Sequence, residues 1–365
     1  LLHSLRSRLE FTMSYEVIRQ CDISIICVPT PLKDQQPDLS AVIDVVQKLK
    51  DVIPENHLVV LESTTYPGTT EEVVRPILEI GEHRVGENLF LAYSPERVDP
   101  GNSAFGVKNT PKLVSGVTPS CTAVAKYFYE AVINEIVVVS SPAVAEAAKL
   151  LENTYRFVNI ALVNEFAIMC HEMKLNVWEV IEAATTKPYG FTAFWPGLGV
   201  GGHCIPIDPS YLSWKARQNG TALHIVEVAR DINEVMPEFV LNRISDVLNR
   251  RGRALLNSRV LVIGITYKPG VPDSRESPTL SLLKKLLRKG AQVFYHDPFV
   301  QQVELGTRIL CRVSDLDEEL RKADIVIVAT DHPQYVWEKI EEKAQHIFDT
   351  RGVLRHLQSS KVTTL

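Results

Sequence analysis

The chain has 365 residues, with 39 Lys and Arg against 44 Asp and Glu for a net charge of −5; 45% of its residues are hydrophobic and 23% charged. That composition excludes a disordered, collagen-like or disulfide-scaffold chain, and the length implies two or three domains, each able to bury its own core. The acidic balance argues against nonspecific nucleic-acid binding.

Six cysteines (Cys21, Cys27, Cys121, Cys170, Cys204, Cys311) are scattered, with no C-x-x-C pair and no Cys/His cluster of zinc spacing. A reducing cytoplasm and no metal site are expected. No apolar run approaches the roughly 18 residues of a membrane span, and the opening LLHSLRSRLE carries charge where a signal peptide would be apolar, so no membrane partner is expected. Because the first residue is Leu1 and Met13 already lies inside a periodic segment, the natural chain is expected to extend upstream.

From residue 22 to about 140, β-branched runs alternate with amphipathic stretches: DISIICV, LSAVIDVVQKLKDVI, HLVVLES, TTEEVVRPILEI, NLFLAYS, then KLVSGV, PSCTAVAKYFYEAV and EIVVVSS. Periods of 2 and 3.6 in alternation predict βαβ units in a parallel sheet. At Ser141-Pro142 a capping residue and a first-turn proline introduce about 30 residues without Gly or internal Pro, a predicted rod of roughly 45 Å. VWEVIEAATT and the stretch 221–252 read as further helices, separated by a loop rich in Gly, Pro and aromatics. After Arg251-Gly252 the alternation resumes with RVLVIGITY, SPTLSLLKKLLRKG, AQVFYHD, ADIVIVAT and HIFDT. Its strands end in polar loops at Tyr267–Gly270, His296–Pro298 and Thr330–His332, where open α/β sheets bind ligands. The predicted organisation is an α/β domain over 1–140, a helical domain over 141–252 and a second α/β domain over 253–365.

The loop PGLGVGGHCIPIDP contains G-x-G-x-x-G as Gly197, Gly199 and Gly202, yet Trp195-Pro196 precede it and Pro206 and Pro209 follow. A dinucleotide loop follows a strand and opens a helix, so this one is rejected as a cofactor loop. Its glycines suit a close backbone approach to a ligand. Cys204 within it is either a buried small hydrophobe or a nucleophile, and a nucleophilic thiol needs a nearby cation or base. Asp208 would raise the thiol pKa and suits a base or water-holder instead. Lys149 and Asn153, at i and i+4 with Arg156 at i+7, offer the cation, or else form an exposed polar stripe. ESTTYPGTT (62–70) and YSPERVDPGN (93–102) are polar loops directly after strands. Capping and turn formation explain most of their residues, although ligands bind at that edge.

Six motifs in order, CVPTP (27–31), ESTTYPGTT (62–70), SPERVDPG (94–101), KLLEN (149–153), GGHCIPIDP (201–209) and TYKPGVPDSRES (266–277), resemble the UDP-sugar 6-dehydrogenases. The wording around the cysteine is most similar to the UDP-N-acetylglucosamine branch, with the UDP-N-acetylmannosamine branch close behind. UDP-glucose enzymes usually have Ser before the cysteine and Lys-Asp after it. The resemblance implies an α/β fold of two Rossmann-like domains with parallel sheets, joined by a long central helix and a helical middle domain. It implies a four-electron oxidation of the sugar C6 alcohol by NAD, through an aldehyde and a thioester, to the carboxylate.

Carried over by motif, Cys204 is the nucleophile, Lys149 and Asn153 stabilise the oxyanion, Asp208 handles water, Glu96 assists thioester hydrolysis and Thr64 holds a water near the reacting carbon. Thr30, Thr64 and Arg275 are cofactor contacts. Glu96, Arg97, Val98, Lys149, Asn153, Val200, Gly201, Lys268 and Arg351 contact the UDP-sugar, and no metal is involved. The family opens with a strand, a true G-x-G-x-x-G turn and an acidic residue for the adenosine ribose. These are expected upstream of Leu1, in roughly 50 to 60 further residues. The expected role is uronic-acid supply for surface polysaccharide, by a homodimer or higher oligomer formed through the central helices. Rival readings are a sister substrate, discriminated by His203 and the segment 188–197, a nucleotide-sugar-binding protein without turnover, and a thiol hydrolase. The last is disfavoured because His203, adjacent to Cys204, cannot readily aim its ring at the same sulfur.

Overall fold

The computed structural model describes residues 8–99, 101–102, 104–357 and 359–365. The chain divides into two compact units, Leu1–Glu152 with Ser210–Ala222, and Asn153–Pro209 with Leu223–Leu365. No helix among the described residues is long and apolar enough to cross a membrane.

The first unit runs β1 (Ile23–Ile26), a hairpin of β2 (Leu32–Lys33) and β3 (Gln36–Pro37), α1 (Ser40–Leu49), β4 (His57–Leu61), α2 (Arg75–Leu78), β5 (Leu89–Tyr93), β6 (Lys112–Gly116), α3 (Pro119–Glu130) and β7 (Ile136–Val138). α4 (Pro142–Glu172) then passes from this unit into the second. In α1, Val42, Val46 and Leu49 recur at helical spacing and are buried, and the Asp38 carboxylate accepts the Ser40 N–H at 2.9 Å. β4, HLVVL, is buried at every position, as expected of a central strand covered on both faces. Its His57 is satisfied inside, with Nδ1 2.9 Å from Cys21 O and Nε2 2.8 Å from Ser24 Oγ.

The sheet order is β1-β4-β5-β6-β7, and β1, β4 and β5 are parallel. One pair departs from the wholly parallel expectation: β5 and β6 are antiparallel, with Ala92 opposite Gly116 and Tyr93 opposite Ser115. Strand periodicity carries no direction. A parallel return needs a crossover, usually a helix, whereas no helix is found among the described residues between Tyr93 and Lys112. The chain therefore turns back at the edge where β5 ended.

α4 begins where the Ser-Pro signal placed it, with the Ser141 hydroxyl accepting the Val144 N–H at 3.3 Å. It ends without glycine: Lys174 adopts φ +57° and the Leu175 N–H reaches back to Cys170 O at 2.8 Å.

The second unit holds the rest of α4, α5 (Val177–Thr185), the start of α6 (Asp208–Gln218), and α7 (His224–Arg250), a single helix with Pro237 inside it. A five-stranded sheet follows, built from β8 (Arg259–Ile263), α8 (Pro278–Arg288), β9 (Gln292–His296), a β10 (Gln302–Leu305) and β11 (Arg308–Cys311) hairpin, α9 (Leu316–Lys322), β12 (Ile325–Val328), α10 (Trp337–Lys343), β13 (Ile347–Asp349) and β14 (Val362–Thr364). Its order is β14-β13-β12-β8-β9, parallel throughout. Val260, Leu261, Val262 and Ile263 of β8 are fully buried, each contributing about 1.5–3 kcal/mol of apolar transfer. α7 packs on α8.

His346, at the entry to β13, makes this unit sensitive to acid. The side chain is buried, Nε2 lies 3.0 Å from Thr363 Oγ1, and Nδ1 has no partner. Burial pushes the imidazole down to about 4, and the Arg251 charge acts in the same direction. Between about pH 6.5 and 4 the unfolded chain binds a proton that the fold refuses, so stability falls as pH drops through that window. The expected loss is about 1 to 2 kcal/mol, and His346→Gln should remove most of that share of the pH dependence. Denaturant midpoints at pH 5 and 7 for both proteins check this; equal slopes would exclude His346 as the sensor.

Candidate active site

In the first unit, the strands deliver three polar loops to one edge of the sheet: Cys27–Pro31 after β1, Glu62–Thr70 after β4 and Ser94–Val98 after β5. The Thr30 hydroxyl donates to Thr64 O at 2.8 Å, and the Ser63 hydroxyl to Val28 O at 2.7 Å, so the first two loops are stitched together. Tyr211, in the part of α6 that belongs to this unit, donates its hydroxyl to Pro31 O at 3.0 Å.

Glu146 of α4 ties the second loop down. Its carboxylate accepts Gly68 N–H at 2.6 Å, Thr70 N–H at 2.9 Å and the Thr70 hydroxyl at 2.7 Å, and it is wholly buried. Burial still raises its pKa despite those three donors. Sequence reasoning passed over Glu146; the available signal was a lone acid in the Ala-rich run AVAEAA.

In the third loop Glu96 turns one oxygen onto the Val98 N–H at 2.5 Å while remaining half exposed. Arg97 points elsewhere, pairing with Glu152 at 2.7 Å and donating to Pro111 O at 2.7 Å. Lys149 stands on α4 one turn before Asn153, about 6 Å along the axis.

In the second unit the Gly-rich loop has neither a strand before it nor the dinucleotide turn, and it opens into α6 at Asp208. It lies against the segment 267–278. A Cβ on Gly201 would stand 2.8 Å from Glu276 O and 2.9 Å from Tyr267 Cβ. Gly202, at φ +89°, donates its N–H to Arg275 O at 3.2 Å with the Tyr267 ring against it. Only glycine permits that approach. Val200 packs on the cluster of Phe157, Ala161 and Ala229.

Cys204 is exposed, and its carbonyl accepts the N–H groups of Ile207 at 3.1 Å and Asp208 at 2.8 Å. Asp208 is buried and takes the Asn153 amide on Oδ2 at 2.5 Å. Three of the expected residues, Asn153, Asp208 and Cys204, are thus brought together. The fold also supplies a cation near the thiol that sequence spacing did not: Arg275. Its guanidinium is held above its ordinary value first by the hydrogen bond to Asp273, at 2.6 Å, and the Cys204 charge acts in the same direction.

Lys268 lies in the same polar segment, its carbonyl taking the Thr266 hydroxyl at 3.1 Å. Arg351 pairs with Asp331 at 3.2 Å and lies against Gly197, whose N–H is fixed by Asn164 at 2.9 Å. Among the described residues no group of three or more His, Cys, Asp or Glu is arranged to hold a metal ion.

Three family profiles match in chain order: the NAD binding domain of the UDP-glucose/GDP-mannose dehydrogenase family over residues 1–133, its central domain over 143–235 and its UDP binding domain over 261–356. A UDP-N-acetyl-D-mannosamine dehydrogenase of Pyrococcus horikoshii is 33% identical over 353 residues, covering 95% of this chain and 81% of the relative. A UDP-N-acetyl-D-glucosamine 6-dehydrogenase of Pseudomonas aeruginosa is 37% identical over 297 residues, 80% of this chain and 70% of the relative. Among solved structures, the UDP-D-ManNAc dehydrogenase of Pyrococcus horikoshii superposes with a TM-score of 0.85 at 32% identity, covering 97% of this chain and 83% of that one. With the NAD-binding, central and UDP-binding domains present in order, the chain belongs to the UDP-glucose/GDP-mannose dehydrogenase family of NAD-dependent oxidoreductases.

Proposed function

We propose that the chain is an NAD-dependent UDP-sugar 6-dehydrogenase that oxidises the C6 hydroxyl of UDP-N-acetylglucosamine to the uronic acid through a Cys204 thioester. The observation that carries this reading is the buried hydrogen bond from Asn153 of α4 to Asp208, at the end of the loop that presents the exposed Cys204.

Each NAD+, when bound, would accept one hydride from C6, so that two in succession take the alcohol to the aldehyde and the thiohemiacetal to the thioester. The edge of the first unit suits a dinucleotide: the Thr65 hydroxyl is buried there without a partner, beside Thr64 and the stitched Thr30. Thr30 and Thr64 would hold the cofactor, with Arg275 a further contact. Cys204 Sγ adds to the C6 aldehyde, releasing its proton to solvent as the S–C bond forms and the C=O π bond breaks, and the resulting thiohemiacetal oxyanion is met by the Lys149 charge and the Asn153 amide. Water then attacks the thioester carbonyl, with Glu96 or Asp208 taking its proton, and the C–S bond breaks to return the thiol and release the carboxylate. Thr64 also holds a water near the reacting carbon. Arg97, Val98, Val200, Gly201, Lys268 and Arg351 contact the nucleotide sugar.

The wording GGHCIPIDP and the Pseudomonas aeruginosa relative support the N-acetylglucosamine substrate. A second reading, UDP-N-acetylmannosamine, is favoured by the Pyrococcus horikoshii enzyme, which matches in both sequence and structure. The test is NADH formed per sugar consumed, with UDP-N-acetylglucosamine, UDP-N-acetylmannosamine and UDP-glucose in parallel, on this chain and on one extended by the family's N-terminal segment. About two NADH per UDP-N-acetylglucosamine is expected. The same ratio on UDP-N-acetylmannosamine alone reassigns the substrate, and tight sugar binding without NADH overturns the enzymatic reading.

A further inference from the structure

The antiparallel return of β6 has placed a lysine at the edge where β5 delivers the Ser94–Val98 loop. Lys112, the first residue of β6, is almost entirely buried, an expensive place for an ammonium unless it is paired. Its Nζ stands 3.0 Å from Glu62 Oε1, 3.5 Å from Pro95 O and 4.0 Å from Glu96 Oε2, and 5.0 Å above the Tyr129 ring. The Tyr129 hydroxyl donates to the same Glu62 oxygen at 2.5 Å. A cavity of about 10 Å3 lies between Lys112 and the Glu96 loop, and Lys112 faces it from the buried side while Glu96 is half exposed.

We propose that Lys112 is a positioning residue for Glu96. It fixes the loop through Pro95 O and sets a positive charge beside the Glu96 carboxylate. The other groups around it cannot do so. Glu62 repels Glu96, while Cys27, with Sγ 3.8 Å from Glu62, and Tyr129 are both held neutral by burial and by the Glu62 charge. Arg97, the next residue along, is engaged with Glu152. The inference rests on the reading of Glu96 as the group that assists thioester hydrolysis.

Single-turnover experiments on the full chain test it, with NADH followed optically and the protein-bound sugar quantified by mass spectrometry after acid quench. In Lys112→Gln, hydrolysis of the acyl-enzyme should slow at least about tenfold as the Glu96 loop loses its anchor. The first NADH phase should change less than about twofold. Lys112→Arg should restore most of the hydrolysis rate. The double variant Glu62→Gln with Lys112→Gln removes both buried charges and leaves neither orphaned, so it reports on Glu96 even if the single variant folds poorly; the same slow hydrolysis is expected. Glu96→Gln, run in parallel, separates the two ways of failing. If Glu96→Gln hydrolyses its acyl-enzyme normally, the premise about Glu96 is wrong; if it is slow while the Lys112 variants are normal, the role of Lys112 is overturned.

Discussion

Cys204→Ser should lower uronate formation by on the order of 10^4-fold, because the serine hydroxyl cannot replace a thiolate without a base placed to activate it. Asp208 accepts the Asn153 amide on Oδ2, and its own N–H is bonded to the Cys204 carbonyl. The substitution keeps the Cys204 carbonyl, which accepts the Ile207 and Asp208 N–H groups of the surrounding turn, and falls on an exposed residue. Thermal stability should therefore change little, within about 0.5 kcal/mol for an exposed position. UDP-sugar affinity should also survive. A Cys204→Ser protein that makes uronate at the normal rate would exclude the covalent route.

The second large effect is expected at Lys149. Lys149→Ala should reduce kcat by about 10^2 to 10^3-fold and leave the UDP-sugar dissociation constant within a few-fold, the signature of a group that acts on charge developing at the transition state. Its place on α4, three residues beyond the buried Glu146 and one turn before Asn153, gives it a rigid mount. Lys149→Arg keeps the charge but changes the donor geometry, so partial recovery is expected. Equal kcat in wild type and Lys149→Ala would remove it from the reaction.

Much of this architecture is legible in the sequence, for physical reasons that differ by element. Alternating periods announce the strands and helices of both sheets, and Ser141-Pro142 marks the start of α4 within a residue. Strand direction is not written in periodicity, which is why the reversal of β6 had to come from the fold. α6 escaped because DPSYLSWKARQ has no strong apolar stripe, its only fully buried large side chain being Tyr211. At the site, Asn153 and Asp208 stand 55 positions apart, and their hydrogen bond exists only once the chain is folded. The same holds for Arg275 beside Cys204. Spacing could rank candidates within one helix or loop, but it could not pair groups across the fold.

The close seating of the Gly-rich loop on residues 267–278 bears on how enzymes of this kind can diverge. At Gly201 and Gly202 a single added methyl group would strike main chain or the Tyr267 ring, so those two positions beside the nucleophile are closed to substitution. In the neighbouring segment Tyr189 and Phe191 are exposed, so substitution there leaves that seat undisturbed. One stretch of the chain is thus closed to substitution while the one preceding it stays open to it.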